Sequence, residues 1–596
     1  MINKQLENLR VVMKEQSIDA YIVNGSDPHN SEYPPLRWKT RSWLTGFTGS
    51  AGTVVVTRDK AGLWTDSRYF LQAEKELQGS GITVFRMGLS GVTPYGEWLK
   101  ESLFNTQRVS SDAFTTTLEE YEKLEKELSV KGIQYIPGED LLDRIWDDRP
   151  SLPKAEIFQL DTKYCGKDRK TKLHDIRTVM DGEKAGLFLV SSLSDIAWVL
   201  NLRGNDVPYN PLFLAYLLIG KENAVLFTGI EKVSAELKDI LLEDGILVRP
   251  YQSVQKYIEE LDAGSVLFSP QSTSVGMASL FHGKWQDKWQ VVKKPDCTVE
   301  MKAVKNQVEL AGVRNAMKKD GAALVRFMKW LEEKWPVPGL DEILAAEKLT
   351  KMRSMQDGFM GPSFETIAGF NDHGAIVHYA AKPESAYALD RPGFLLLDSG
   401  GQYLDGTTDI TRVISVGGKR DSKVKRDYTL VLKGHIDLAR MKFPEGTTGI
   451  QLDAVARRSL WMEGKNYLHG TGHGVGHFLT VHEGPESIST RQPSAVLKPG
   501  MIISDEPGLY REGKYGIRIE NLFTVVEDEK TEFGQFYSFE TLTLAPYERS
   551  LIDTGLLTES QLKWVNAYHE KVYMLLSPLL TKDEREWLKT RTEALK

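Results

Sequence analysis

Over the first sixteen residues, Leu6, Leu9, Val12 and Met13 recur at three- and four-residue intervals with charged positions between them. That spacing predicts an amphipathic helix, not the continuous apolar segment of a secretory leader. Residues 19–23 read as a strand, and further strands follow over 43–56 and 62–64 with Gly and Thr punctuation. Helical periodicity then covers 69–77 and 117–128. A Pro-containing stretch, 147–154, marks a linker. Beyond it the rhythm returns: an apolar run at 185–190, Ser194 to Gly204, then runs at 212–219 and 224–227. Two related α/β folds in tandem are expected.

From the strong helix opening at Glu300 and a second over 321–333, the pattern changes to short strands broken by glycine pairs, continuing to about Pro546. The tail reopens with Thr558-x-x-Gln561, a capping-box signature, and spaces Leu562, Val565, Val572 and Leu576 on one helical face. The expected domains are therefore 1–150 and 151–296, both α/β, a catalytic domain over 297–546, and a helical extension over 547–596 that serves packing or a dimer contact. A chain of 596 residues exceeds one core, at about 150 residues per domain.

Composition narrows the partners. The net charge of -7 is small for this length, and no polybasic surface points to nucleic acid or an anionic membrane. The apolar run 212–219 falls short of the roughly 20 residues of a bilayer span. Two cysteines, Cys165 and Cys297, are no disulfide framework and fit a reducing compartment, so a cytoplasmic protein is expected.

Candidate chemistry is confined to the third block. The apolar run 394–397 ends in Asp398, and after Ser399-Gly400-Gly401 a second strand carries Asp409; a hairpin would bring both carboxylates to one end of a sheet. Two ordinary turn aspartates are the alternative. In His469-Gly-Thr-Gly-His473-Gly-Val-Gly-His477 the four-residue spacing of histidines suggests a helix, but four glycines, each costing about 1 kcal/mol there, argue for extended backbone. Alternate residues His469, Thr471, His473, Val475 and His477 would then share a face, with the glycines admitting another backbone. Seven of the eleven histidines lie between His373 and His482. A turn at Gly513 makes a last hairpin, with Glu506 on one strand and Glu520 on the other, and Glu520 is read as pairing with Arg518. Buried carboxylates need compensation, and four of them match two divalent cations in charge. Oxygen-rich ligation with one imidazole suits Mn²⁺, with Co²⁺, Fe²⁺ or Zn²⁺ as alternatives.

These five positions, in this order, resemble the pita-bread metallopeptidases, the family of methionine aminopeptidase, prolidase and aminopeptidase P. The segments from Thr366 to Gly374-Ala-Ile-Val-His378-Tyr379, His482-Glu-Gly-Pro485, Asp505-Glu-Pro-Gly508 and Gly516-Ile-Arg-Ile-Glu520-Asn521 are similar to the long, three-domain aminopeptidase P branch of that family. So are Trp43 to Gly52 and Trp64-Thr-Asp-Ser-Arg-Tyr-Phe70. The resemblance implies two metal ions, with Asp398 and Asp409 on one, His473 and Glu506 on the other, and Asp409 and Glu520 bridging. It implies that a hydroxide shared by the metals attacks the bond before a proline in second position and releases the N-terminal residue. Glu506 would handle the proton, His482 would face the oxyanion, and His378 and His469 would position substrate, with Arg518 and Arg68 as further substrate contacts. It also implies a homodimer. Prolidase activity on Xaa-Pro dipeptides is the enzymatic alternative, and a non-catalytic domain binding peptide or histone is the other.

Overall fold

The structure, a computed structural model, describes residues 2–281, 288–491 and 495–596. It divides into two compact units. One contains the chain up to Leu160 together with Lys167–Val299; the other contains Asp161–Gly166 and Glu300–Lys596.

The first unit holds two six-stranded sheets. Strands Ala20–Val23, Thr53–Thr57, Ala61–Thr65, Thr83–Arg86, Arg108–Ser111 and Gln134–Tyr135, numbered one to six along the chain, lie side by side in the order 4-3-2-1-5-6. Strands Leu187–Val190, Ala215–Gly220, Ala224–Thr228, Ile246–Pro250, Gly264–Phe268 and Trp289–Lys293 adopt the same order. In both sheets the 1-2 and 2-3 pairs are antiparallel and the 3-4, 1-5 and 5-6 pairs parallel. Identity of order and sense at every step makes the tandem repeat a structural fact. The central strands of the second sheet are buried along nearly their whole length, as the apolar runs 212–219 and 224–227 require of a sheet covered on both faces.

The second unit begins its long helix, Gln307–Lys334, behind Asn306, whose side chain accepts from Val308 and Glu309 N–H while Glu309 returns to the Asn306 N–H. Its apolar stripe, including Leu310, Val313, Met317, Leu324, Phe327 and Leu331, is buried. Strands Ile367–Phe370, Gly393–Ser399 and Ile410–Val416 form one antiparallel sheet. A six-stranded sheet runs in the order Lys442–Pro444, Gly534–Thr541, Asn521–Thr531, Ile502–Asp505, Gly472–Gly474 and Glu483–Ile488. The tail helix, Glu559–Leu576, is capped by Thr558 and Gln561 as expected and buries Val565, Tyr568, Val572 and Leu576 in the same core as Tyr428, Ile517 and Tyr547. It packs within the unit: the Tyr568 hydroxyl lies 3.1 Å from the Arg412 guanidinium, which in turn donates to the Glu520 carbonyl at 2.6 Å and to Asn521 Oδ1 at 2.8 Å.

The glycine-rich histidine segment is extended only over Gly472–Gly474, with a bulge between His473 and Gly474. The expected common face for His469 to His477 is therefore not kept. His477 is buried, and Phe478 turns the chain at φ +49°. Gly472 shows why glycine is needed: a Cβ there would lie 1.8 Å from the Ser504 carbonyl oxygen. Gly472→Ala is expected to cost about 3 kcal/mol or more, since backbone on both sides must move; thermal unfolding beside the wild type measures it.

Candidate metal centre

Three segments deliver the carboxylates. Asp398 sits near the end of Gly393–Ser399, paired with Thr411, and Asp409 stands just before the facing strand Ile410–Val416. The expected hairpin is present, but its connection carries a second small hairpin, Gly401–Tyr403 with Gly406–Thr407. Glu506 and Glu520 follow from register. Asp505 faces Asn521 in one ladder and Gly508 faces Arg518 in the next, so Glu506 and Glu520 oppose each other in the gap between.

Oxygens of Asp409 and Glu520 and a ring nitrogen of His473 lie within 4.8 Å of one another. His473 Nε2 is 3.5 Å from Asp409 Oδ2 and 3.4 Å from Glu506 Oε1. Its Nδ1 lies 2.9 Å from the Gly474 carbonyl, which fixes the proton on Nδ1 when the ring is neutral and leaves the Nε2 lone pair facing the carboxylates. Thr411 Oγ donates to Glu520 Oε2 at 2.8 Å. Arg518 forks onto Asp398 Oδ2 at 2.6 and 3.1 Å, while Asp398 Oδ1 is buried with no hydrogen-bond partner. Arg518 thus pairs with Asp398, not with Glu520 as sequence proximity suggested.

The electrostatics are those of a crowded anionic pocket. Burial raises the Asp398 carboxyl, opposed by Arg518 and reinforced by Asp409. Burial, with Asp409, Asp398 and Glu506 adding repulsion, holds Glu520 well above the usual carboxylate range. Glu506 is pushed up to about 7, chiefly by burial, although His473 and Arg518 oppose it. Burial alone would lower His473, but hydrogen bonding to Asp409 and the charge of Glu506 outweigh it and raise the ring to about 9. Three carboxylates with raised affinity for protons, Asp398, Glu506 and Glu520, a lone pair aimed among them and an orphaned buried oxygen fit divalent cations: an ion supplies the positive charge that protons otherwise provide.

Around this cluster, the His482 ring meets His473 edge-on, 4.4 Å between centroids. His469 Nε2 accepts from the Tyr510 hydroxyl at 2.8 Å, and that hydroxyl accepts from Arg518 Nη1 at 2.7 Å, so a chain of hydrogen bonds joins His469 through Arg518 to Asp398. His378 is half-buried on the segment following the 3-10 turn Asn371–Ala375. Arg68 belongs to the first unit, where it forks onto Asp66 at 2.8 and 2.9 Å and lies over the Tyr69 ring. Tyr510 and Arg412 were not singled out from sequence. Nothing local distinguishes a fully buried arginine such as Arg412, 1% exposed, from a solvated one.

The sequence profile of metallopeptidase family M24 matches residues 311–527, and that of the C-terminal region of M24 peptidases matches 535–595. Profiles of the creatinase/prolidase N-terminal domain match 5–145 and 148–309. The chain is 41% identical to aminopeptidase P2 of Arabidopsis thaliana, covering 100% of this chain and 89% of that one. It is 40% identical to a probable Xaa-Pro aminopeptidase P of Coprinopsis cinerea, covering 99% and 98%. The crystal structure of X-prolyl aminopeptidase from Caenorhabditis elegans, described as a cytosolic enzyme with a di-nuclear active site, superposes with a TM-score of 0.94 at 33% identity over the whole of both chains.

Proposed function

Because this chain belongs to metallopeptidase family M24 and is a metal-dependent Xaa-Pro aminopeptidase, we propose that Asp398, Asp409, His473, Glu506 and Glu520 hold its two divalent ions. The observation that carries this reading is that the site's own hydrogen bonds orient these groups and still leave ligand atoms for a cation. Asp398 is gripped at Oδ2 and has Oδ1 left over, Glu520 is gripped at Oε2, and His473 is gripped at Nδ1 with Nε2 turned to Asp409 and Glu506. Asp398 and Asp409 would serve one ion and His473 and Glu506 the other, with Asp409 and Glu520 shared. Manganese is the proposed ion, because the set is oxygen-rich with a single imidazole.

Bound there, the cations supply an acidified water and polarise the scissile carbonyl. The protein's part is proton transfer and orientation. Glu506 takes the proton of the attacking water on its carboxylate and returns it to the departing prolyl nitrogen. His482, edge-on to His473, donates to the oxyanion. His378 and His469 line the proline side, and the Tyr510–Arg518 chain fixes the His469 ring. Arg518 acts at the substrate side through that chain while holding Asp398. An Xaa-Pro bond has no amide hydrogen, so a pocket that demands no N–H partner accepts it. The free amino terminus is drawn to the carboxylates, which limits cleavage to the first bond. A homodimer and cytosolic residence belong to the same proposal; among the described residues no helix is long and apolar enough to cross a membrane.

Manganese-loaded protein given an Xaa-Pro-Xaa tripeptide beside its Xaa-Pro dipeptide tests the assignment. Cleavage of the tripeptide at its first bond is expected. Turnover of the dipeptide alone would make the protein a prolidase.

A further inference from the structure

Glu342 opens the helix Glu342–Arg353 and is fully buried. A buried carboxylate is costly unless donors or a cation compensate it. Here the donors converge from one stretch of chain. Oε1 accepts from the Phe370 N–H at 2.7 Å, and Oε2 accepts from the Tyr387 N–H and the Tyr379 hydroxyl, each at 2.8 Å. His373 Nδ1 stands 3.0 Å from both oxygens. The His373 ring is stacked on Tyr387, with centroids 3.5 Å apart and planes at 13°, and on Tyr379 at 4.4 Å and 29°.

These donors run from Phe370, the end of a strand, to Tyr387, and between those two residues the only regular element is the 3-10 turn Asn371–Ala375. A loop of this length satisfies few of its own polar groups and moves unless something ties it down. Glu342 ties it at four points. His378 rides on this loop immediately before Tyr379. The loop also presses on the strand that leads to Arg518 and Glu520: a Cβ on Gly516 would lie 1.6 Å from the Gly374 carbonyl oxygen. The Phe370 N–H that Glu342 holds closes the strand Ile367–Phe370, whose other end pairs Ile367 with Asp398.

We propose that Glu342 is a positioning residue for the peptidase reaction, clamping the 371–387 loop so that His378 meets the substrate beside the metal centre; this rests on the role assigned to His378 above. Charge-assisted hydrogen bonds make the carboxylate a stronger clamp than a neutral amide, and Glu342→Gln also turns an NH2 group toward donors.

The test is a double-mutant cycle in full-length, manganese-loaded protein on an Xaa-Pro-Xaa tripeptide. Glu342→Gln is expected to lower kcat/KM by about 10- to 100-fold, the scale of a substrate-positioning group displaced by about 1 Å, while bound metal per chain stays at the wild-type value. In the His378→Ala background the same substitution is expected to change kcat/KM by less than about twofold, because the group it positions is gone. Tyr379→Phe removes one donor, leaves the core filled, and is expected to show a smaller loss that also disappears in the His378→Ala background; it decides the matter if Glu342→Gln does not fold. An equal loss in both backgrounds, or a loss of metal, would show a general structural role and overturn the proposal, as would full activity of His378→Ala. Inactivity of the wild type on the tripeptide would instead overturn the reading on which the proposal rests.

Discussion

Asp409→Asn is expected to lower kcat/KM on an Xaa-Pro-Xaa tripeptide by about 10³-fold or more while the protein stays folded. The residue is 4% exposed, one of its oxygens is 3.5 Å from His473 Nε2, and among the described residues it groups with His473 and Glu520, their potential ligand atoms within 4.8 Å of one another. Asparagine keeps its shape but removes the charge proposed to serve both ions, and metal activation of water and carbonyl is worth several kcal/mol of barrier, at about 1.4 kcal/mol per tenfold. Steady-state kinetics beside metal analysis and circular dichroism checks this. Wild-type activity in a variant that still binds two ions would remove Asp409 from the centre.

Chelation is expected to destabilise the protein, and to do so increasingly as pH rises. Without cations, Glu506 titrates near 7 in the folded state against an ordinary value of 4.5. Between those values the folded chain holds more protons than the unfolded one, so stability is fully present below about 4.5 and is lost as pH rises through about 7. From Glu506 alone the loss is about 3 kcal/mol. Glu520, held well above the usual carboxylate range by burial and by Asp409, and His473, raised to about 9, act in the same direction. Cations act oppositely, because they require ionised carboxylates and a neutral imidazole. The gap in unfolding temperature between metal-loaded and chelated protein should therefore widen from pH 5 to pH 8. A gap independent of pH would contradict this electrostatic account.

What could be read from the sequence was local. The turn at Gly513 was enough to set Glu506 opposite Glu520, because both flank one hairpin and a neighbouring ladder keeps the same register. The tandem α/β repeat was audible as a rhythm of apolar runs because each sheet uses the same six-strand order. What escaped depends on distant partners. Arg518 is two residues from Glu520, yet it pairs with Asp398, 120 positions away. In sequence, Arg412 and Glu342 are indistinguishable from ordinary charged residues, although each is buried and tied to several groups across the unit. Alternation along the histidine segment says nothing of the bulge at His473, where Gly472 and Gly474 approach the backbone of Ser504 and Glu483, or of the turn at Phe478.

Counting ions against activity tests most directly whether the five residues assemble a two-ion peptidase centre. Protein stripped with chelator and titrated with Mn²⁺ should bind two ions per chain by elemental analysis, with tripeptide cleavage appearing as they load and both lost in His473→Ala. Full cleavage with no ion bound, or two ions retained at wild-type affinity after His473→Ala, would contradict it.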